Sequence, residues 1–549
     1  MRKGIKILIG IISTSLIVAF TVPAEKYFDI AKSLDIFSTL FKEVNAFYVD
    51  EVDPKKLIDT GIQGMLQSLD PYTDYIPEED LEAFSILTTG QYAGIGALIG
   101  VVNKTPVITN PYYGFPAQRA GLRVGDEFIS IDGTNVKGKS TSEISLLLKG
   151  KPKTELEVVV HRSGQKENLK FKLQREKIKI TNVAYQGMLD GDIGYVKLDD
   201  FTPGAGKEVE DAVIALKAKG AKKIMLDLRD NPGGLLYEAV NIVNVFIPKG
   251  LEVVSTRGKM QEWNKTYNTL NEPIDTEIPV TVLTSSGSAS ASEIVAGSLQ
   301  DYDRAILVGQ KTFGKGLVQT TRSLSYNAQL KITTAKYYIP SGRCIQALDY
   351  THRKSDGTVE RYADSMKNEF KTKHGRKVFD GGGLDPDIAV KSEQFATPVF
   401  ELVNSGLVFD YASNYCGEHS ETPATMRGFK LSDAEYQKFV NWVKSQNFHY
   451  ESALEKQTDD LIKAAKDERH FDELQSPLKE LKSKIEATRS TDLTHFKKEI
   501  SSILEQQIAF HYRLNAGQAE INIDRDEEIR EAKKILADVS TFKKLLSPN

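Results

Sequence analysis

Between residues 192 and 390 short apolar runs alternate with amphipathic ones, and no other feature restricts the fold of this chain as much. Residues 193–198, 223–228, 280–283 and 304–308 read as strands; 203–219, 235–246 and 292–299 carry helical spacing. The run Lys223-Ile224-Met225-Leu226-Asp227-Leu228 is apolar almost without a break, as a strand covered on both faces must be. Strand–helix alternation of this kind predicts an α/β core, and Gly381-Gly382-Gly383-Leu384-Asp385-Pro386-Asp387 reads as its closing turn.

A chain of 549 residues is too long for one core, and about three or four domains are expected. The pattern divides it into residues 1–24, a helical module at 25–84, a β-rich domain at 85–177, the α/β core at 178–395 and a helical domain at 396–549. In the second of these, Asp53-Pro54 predicts a capped helix start with proline at the first helical position. In the last, Leu474, Leu478, Leu481 and Ile485 recur at helical intervals, Ser476-Pro477 predicts a helix start, and the charges read as a solvated face. The terminal helices offer a surface for homo-oligomerisation.

Residues 1–24 are a different material. Arg2, Lys3 and Lys6 precede an apolar run, and Val22-Pro23-Ala24 offers small residues for cleavage, the layout of a secretory signal peptide. The alternative is an uncleaved membrane anchor, but residues 7–22 fall short of the ~20 that a spanning helix needs. Export to the periplasm or another extracytoplasmic space is therefore expected. A net charge of −4 gives no footprint for nucleic acid. Two cysteines, Cys344 and Cys416, make no disulfide framework and no zinc site.

Three islands of small or polar residues each follow a strand of the core: Asp227-Leu228-Arg229-Asp230-Asn231-Pro232-Gly233-Gly234, Gly287-Ser288-Ala289-Ser290-Ala291-Ser292-Glu293, and Thr312-Phe313-Gly314-Lys315-Gly316-Leu317-Val318-Gln319. Loops at strand ends of a parallel sheet converge on one crevice. A serine between strand and helix sits at the helix's positive end, which favours an alkoxide. Ser290-Ala291-Ser292-Glu293 is equally a capping box, which accounts for serine and glutamate by helix stability alone. A nucleophilic serine needs a base, and none of the eight histidines lies between His161 and His352, the span that holds all three islands. A lysine lowered in pKa by burial does the same work, and Lys315 stands between two glycines among Phe313, Leu317 and Val318. Its rival meaning is a Walker A loop over residues 309–316, but the last position is Gly316 where Ser or Thr should hold magnesium, and strand-like residues follow where a helix is required.

In the β-rich domain the string AGLRVGDEFISIDG resembles that of PDZ domains. There a glycine loop, here Gly94, Ile95 and Gly96, binds a peptide's C-terminal carboxylate, and the peptide adds as an edge strand. With the three islands, the chain from about Asp35 to Val390 resembles the carboxyl-terminal processing peptidases (tail-specific proteases, peptidase family S41). GSASASEIVAGSLQDYDRAILVGQKTFGKGLVQ, YYIPSGRCIQ and LDPYTDYIP carry that likeness. The resemblance implies Ser290 as nucleophile, Lys315 as general base, Gln319 as the residue orienting it, and an oxyanion hole from the N–H groups of Ala291 and of Gly233 or Gly234. It implies a structural part for Glu293 and Arg229, no cofactor, and protein substrates bound through their C-terminal tails. The competing expectation is a catalytically silent PDZ-type peptide-binding protein.

Overall fold

The computed structural model describes residues 24–354, 357–391 and 394–547. The signal-peptide expectation, apart from Ala24, falls on residues outside these. No helix among the described residues is long and apolar enough to cross a membrane. The chain divides into two compact units, residues 1–75 and 76–549.

In the first unit the helices Ala24–Phe47 and Pro54–Gln67 are joined by a short turn. Asp53 caps the second, its carboxylate accepting from the N–H of Lys55 at 2.9 Å and of Lys56 at 3.2 Å, with Pro54 at the first turn as the sequence predicts. The first helix leaves Phe28, Leu34, Leu40 and Phe47 exposed.

The second unit opens with the β-rich domain. Its sheet runs in the order Ala97–Val102, Thr105–Pro111, Glu127–Ile131, Glu155–His161, Leu169–Gln174, closed by the helix Thr141–Leu148 over Ile108, Phe128, Ile131, Val158 and Val160. Gly94, expected in the glycine loop, instead ends the strand Gln91–Gly94. That strand pairs antiparallel with Glu176–Lys179, so the segments entering and leaving the domain zip together.

The α/β core is a six-stranded sheet in the order Val183–Met188, Ile193–Leu198, Lys223–Asp227, Val280–Thr284, Ala305–Gly309, Ile388–Ala389. All but the first strand run parallel. Alternate residues serve opposite faces, as the two-residue strand period requires. Val196, Leu198, Ile224, Leu226, Val280, Val282 and Leu307 pack under the helices Ala205–Ala218, Leu236–Phe246 and Ala291–Asp301. Tyr195, Met225, Leu283, Ile306 and Val308 point the other way, and the last two helices of the chain, Glu527–Ala537 and Val539–Leu546, cover them with Ile529, Ala532, Leu536 and Phe542. Each such buried aliphatic side chain contributes about 1.5–3 kcal/mol. The C-terminal region thus does more than present a solvated face: its end completes the core. A second sheet pairs Gln329–Tyr338 with Leu317–Ser323 on one side and Glu252–Gly258 on the other.

Residues 397–522 form helices with their own core of Val399, Leu402, Phe439, Val440, Leu504 and Ile508. Pro477 does not start a helix. It lies inside Phe471–His495, past the first turn, and the helix runs through it without the N–H bond to the Glu473 carbonyl. Cys344 and Cys416 are unpaired.

A cavity of about 820 Å³ lies where the β-rich domain, the segment 180–184 and these helices meet, lined among others by Arg123, Arg162, Cys416 and His511. His511 is buried, with Nδ1 on the Gln507 carbonyl at 2.8 Å and Nε2 meeting the Ser413 hydroxyl at 2.9 Å. Burial pushes it down to about 4, against the Gln507 carbonyl, which favours the proton. The unfolded chain protonates this residue near pH 6.5, so its contribution is complete above about 6.5 and is lost as pH falls towards 4, roughly 3 kcal/mol in all. Urea unfolding at pH 7 and pH 4.5 should show this loss in the parent chain and a smaller one in His511→Asn.

Candidate active site

The three islands stand together at the C-terminal ends of the parallel strands. The strand Val280–Thr284 ends in a tight turn, and Ser290 opens the helix Ala291–Asp301 with φ 55° and ψ −112°. A helix cap normally has extended backbone. A β-carbon-bearing residue at positive φ, outside the left-handed well, is strained, and such strain persists only where surrounding bonds impose it. The capping-box relation to Glu293 is present, but it does not explain this backbone.

The neighbouring hydroxyls are spent on structure. Ser288 donates to the Leu228 carbonyl at 2.8 Å and Ser292 to the Asn231 carbonyl at 2.9 Å, and both are fully buried. Ser285 donates to Asp230 at 2.9 Å. Ser290 is half-buried. Among the described residues no histidine is hydrogen-bonded to it.

Glu293 is the residue that joins serine and lysine. It is fully buried, and its Oε2 accepts the N–H of Ser290 and the N–H of Lys315, each at 2.9 Å. Its Oε1 accepts from Thr312 Oγ1 at 2.5 Å and Gly314 N–H at 2.8 Å. Burial pushes this carboxyl up in pKa and the four donors oppose the shift. On the carbonyl side, the buried Tyr337 hydroxyl lies 3.1 Å from the Ser290 carbonyl and is also hydrogen-bonded to that of Lys315. One carboxylate and one phenol therefore tie the two backbones together. Phe313 adds an N–H bond to the Ser288 carbonyl at 3.0 Å.

The glycines flanking Lys315 have steric reasons. A β-carbon on Gly314, at φ +88°, would stand 2.4 Å from Ala347 Cβ, and one on Gly316 would stand 2.8 Å from the Gln346 nitrogen. Lys315 is half-buried and is followed by the strand Leu317–Ser323, not by the helix of a phosphate-binding loop. Gln319, on that strand, donates to Thr333 Oγ1 at 3.1 Å.

The first island packs on the serine turn. Asn231 accepts from Ala289 N–H at 3.0 Å through its carbonyl and from Gly233 N–H at 2.9 Å through its side chain. A β-carbon on Gly233 would stand 2.7 Å from the Ala291 nitrogen and 2.9 Å from Ser290 Cβ, whereas one on Gly234 would strike Phe201. Gly233 therefore borders the serine, and Gly234 serves strand packing. In the β-rich domain Ile95 is buried and its carbonyl accepts from Ala117 at 2.8 Å, while Gly96 turns at φ +73°, where a β-carbon would stand 2.4 Å from Phe115 Cβ.

Family models match the chain along most of its length: peptidase family S41 over residues 192–352, a PDZ domain over 107–162, the N-terminal domain of activating protease CtpB over 21–80, and a probable PDZ-protease C-terminal helical domain over 399–536. A probable CtpA-like serine protease of Staphylococcus aureus (strain N315) is 38% identical over 383 residues, 69% of this chain and 75% of that one. The chain belongs to peptidase family S41. A carboxy-terminal-processing protease of Bartonella bacilliformis is 37% identical over 357 residues, 64% of this chain and 82% of the relative. Among solved structures, a photosystem II D1 C-terminal processing protease is similar at 28% identity, with a TM-score of 0.33 over 65% of this chain and 92% of that one. This S41 chain is thus a carboxy-terminal-processing, serine-type peptidase with a PDZ domain.

Sequence reasoning had Glu293 in view only as a cap and structural support, because its spacing from Ser290 is that of a capping box. Tyr337 opens the string YYIPSGRCIQ but was given no part in the site, since nothing local links a strand tyrosine to carbonyls 47 and 22 residues away.

Proposed function

We propose that this peptidase cuts peptide bonds with a Ser290–Lys315 dyad and selects substrates by their C-terminal tails. The observation that carries the reading is the single Glu293 oxygen holding the N–H groups of both residues. Neutral Lys315 takes the Ser290 proton as Oγ attacks the carbonyl carbon, and the carbonyl π electrons move to oxygen. The N–H of Ala291, in the first helical turn and so without an intrahelical acceptor, faces that oxyanion. Gly233 is the second donor, exchanging its bond to Asn231 for one to the oxyanion. Lys315 then returns the proton to the leaving amine. The acyl group on Ser290 is hydrolysed by a water that Lys315 deprotonates in turn. Gln319 orients the lysine from the adjoining strand.

The tail binds at Gly94, Ile95 and Gly96, with its carboxylate on backbone N–H groups and its last residues added beside the strand Ala97–Val102. Export belongs to the same reading and rests on the basic and apolar residues of the leader. So does self-association through the terminal helices, which the exposed Phe28, Leu34 and Leu40 support. One unfolded protein presented with apolar and with charged C-termini tests the selection. The apolar tail should be cut at least about tenfold faster, since one good apolar contact is worth 1–3 kcal/mol. Equal rates would count against tail recognition.

A further inference from the structure

Arg229, on the first island, is a largely buried guanidinium in contact with three carboxylates. Asp227, at the end of its own strand, takes Nε and Nη2 at 3.0 and 2.6 Å. The other two come from the far end of the chain: Asp526 meets Nη1 at 2.6 Å, and Glu528 is hydrogen-bonded to the same nitrogen. Asp526 also caps the helix Glu527–Ala537 by accepting the Ile529 N–H at 3.0 Å. Glu528 has a second partner. Its Oε1 accepts from Gln310 Nε2 at 3.2 Å. Gln310 is pinned to the end of the serine strand by bonds to Thr284 at 2.8 and 2.9 Å, and it begins the loop that reaches Lys315.

Asp227 is shared with Lys197, whose Nζ lies 3.7 Å away, so one further carboxylate is enough to balance Arg229, and buried ion pairs contribute little net stability. Two further acids from one helix start, one of them bridging to a different loop, call for a geometric explanation. The loop 228–234 brings Gly233 against the serine, and the loop 310–316 brings Lys315. Glu528 touches the root of both.

We propose that Asp526 and Glu528 are positioning residues for proteolysis: the acidic start of the helix Glu527–Ala537 sets the spacing between the loop of Gly233 and the loop of Lys315. This rests on the serine–lysine reading. It makes the C-terminal end of the chain part of the catalytic geometry, although it touches no substrate.

The test is steady-state cleavage by the full chain carrying Glu528→Ala, Glu528→Gln or Asp526→Asn, with Ile535→Val as a control that loosens the same helix on the sheet without touching Arg229. Urea unfolding confirms that each variant is folded, and Glu528→Gln preserves side-chain volume in case alanine does not fold. The expected result is a kcat at least tenfold lower in both Glu528 variants with KM within twofold, a smaller fall in Asp526→Asn, and parent-like kcat in Ile535→Val. Parent-like kcat in folded Glu528→Gln overturns the proposal. So does an equal loss of kcat in Ile535→Val, which would reduce the acids to helix docking. An inactive Ser290→Ala in the same assay makes either failure specific to these acids, whereas an active one overturns the dyad itself.

Discussion

Ser290→Ala lowers kcat/KM by at least about 10⁴-fold while the chain stays folded, within about 1 kcal/mol of the parent in urea. The size follows from removing a nucleophile, after which only binding and oxyanion stabilisation remain. The largely preserved stability follows from position: most bonds that hold this turn belong to the Ser290 backbone and to Ser285, Ser288 and Ser292, and the Ser290 hydroxyl's part in the capping box is worth about 1 kcal/mol. Alanine also relieves none of the strain at φ 55°, because it keeps the β-carbon. Lys315→Ala should match the loss, since serine without a base is a poor nucleophile and no histidine stands in. Hydrolysis of a labelled unfolded protein measures both, and near-parental turnover by Ser290→Ala would move the nucleophile elsewhere.

The second large effect belongs to Glu293, and it differs in kind. Glu293→Ala strips the acceptor from three backbone N–H groups and the Thr312 hydroxyl, all drawn from the serine and lysine loops. Each buried donor left unmet costs about 1–3 kcal/mol, offset in part by relief of the carboxylate's own desolvation, so a net loss of about 3 kcal/mol or more is expected. Glu293→Gln keeps the volume but turns an amide donor towards other donors. It should remain folded and lose about 100-fold in kcat, the scale of a small misplacement of reacting groups. Urea unfolding and kcat measured on the same preparations separate the two effects. Parental kcat in Glu293→Gln would show that the serine and lysine loops hold their spacing without this carboxylate.

The parallel core was legible because its strands are buried on both faces and the helix Ala205–Ala218 on one, and both periods survive in the chain as runs of Ile, Val and Leu. The β-rich domain was legible from one string of turn residues, although the strand Gln91–Gly94 was not, because its partner lies about 85 residues onward. Ser290 could not be separated from Ser288 and Ser292 by composition; in the fold the hydroxyls of the latter two donate to the Leu228 and Asn231 carbonyls. Gly233 and Gly234 were equivalent as residue types and became distinct through their neighbours, Ser290 for one and Phe201 for the other. Glu293 was hidden in plain view, since a cap and a clamp share one spacing. The last two helices were the largest omission. An amphipathic pattern says that one face is covered, not that sheet residues as far back as Tyr195 need covering.

The most direct test of the dyad is intact-protein and peptide mass spectrometry after a fluorophosphonate reacts with the folded enzyme. The expected result is one adduct, on the peptide that holds Ser290 and on that residue within it, formed at least about 100-fold more slowly in Lys315→Ala at neutral pH. An adduct on Ser288 or Ser292, or labelling of Ser290 at the parental rate without Lys315, would contradict it.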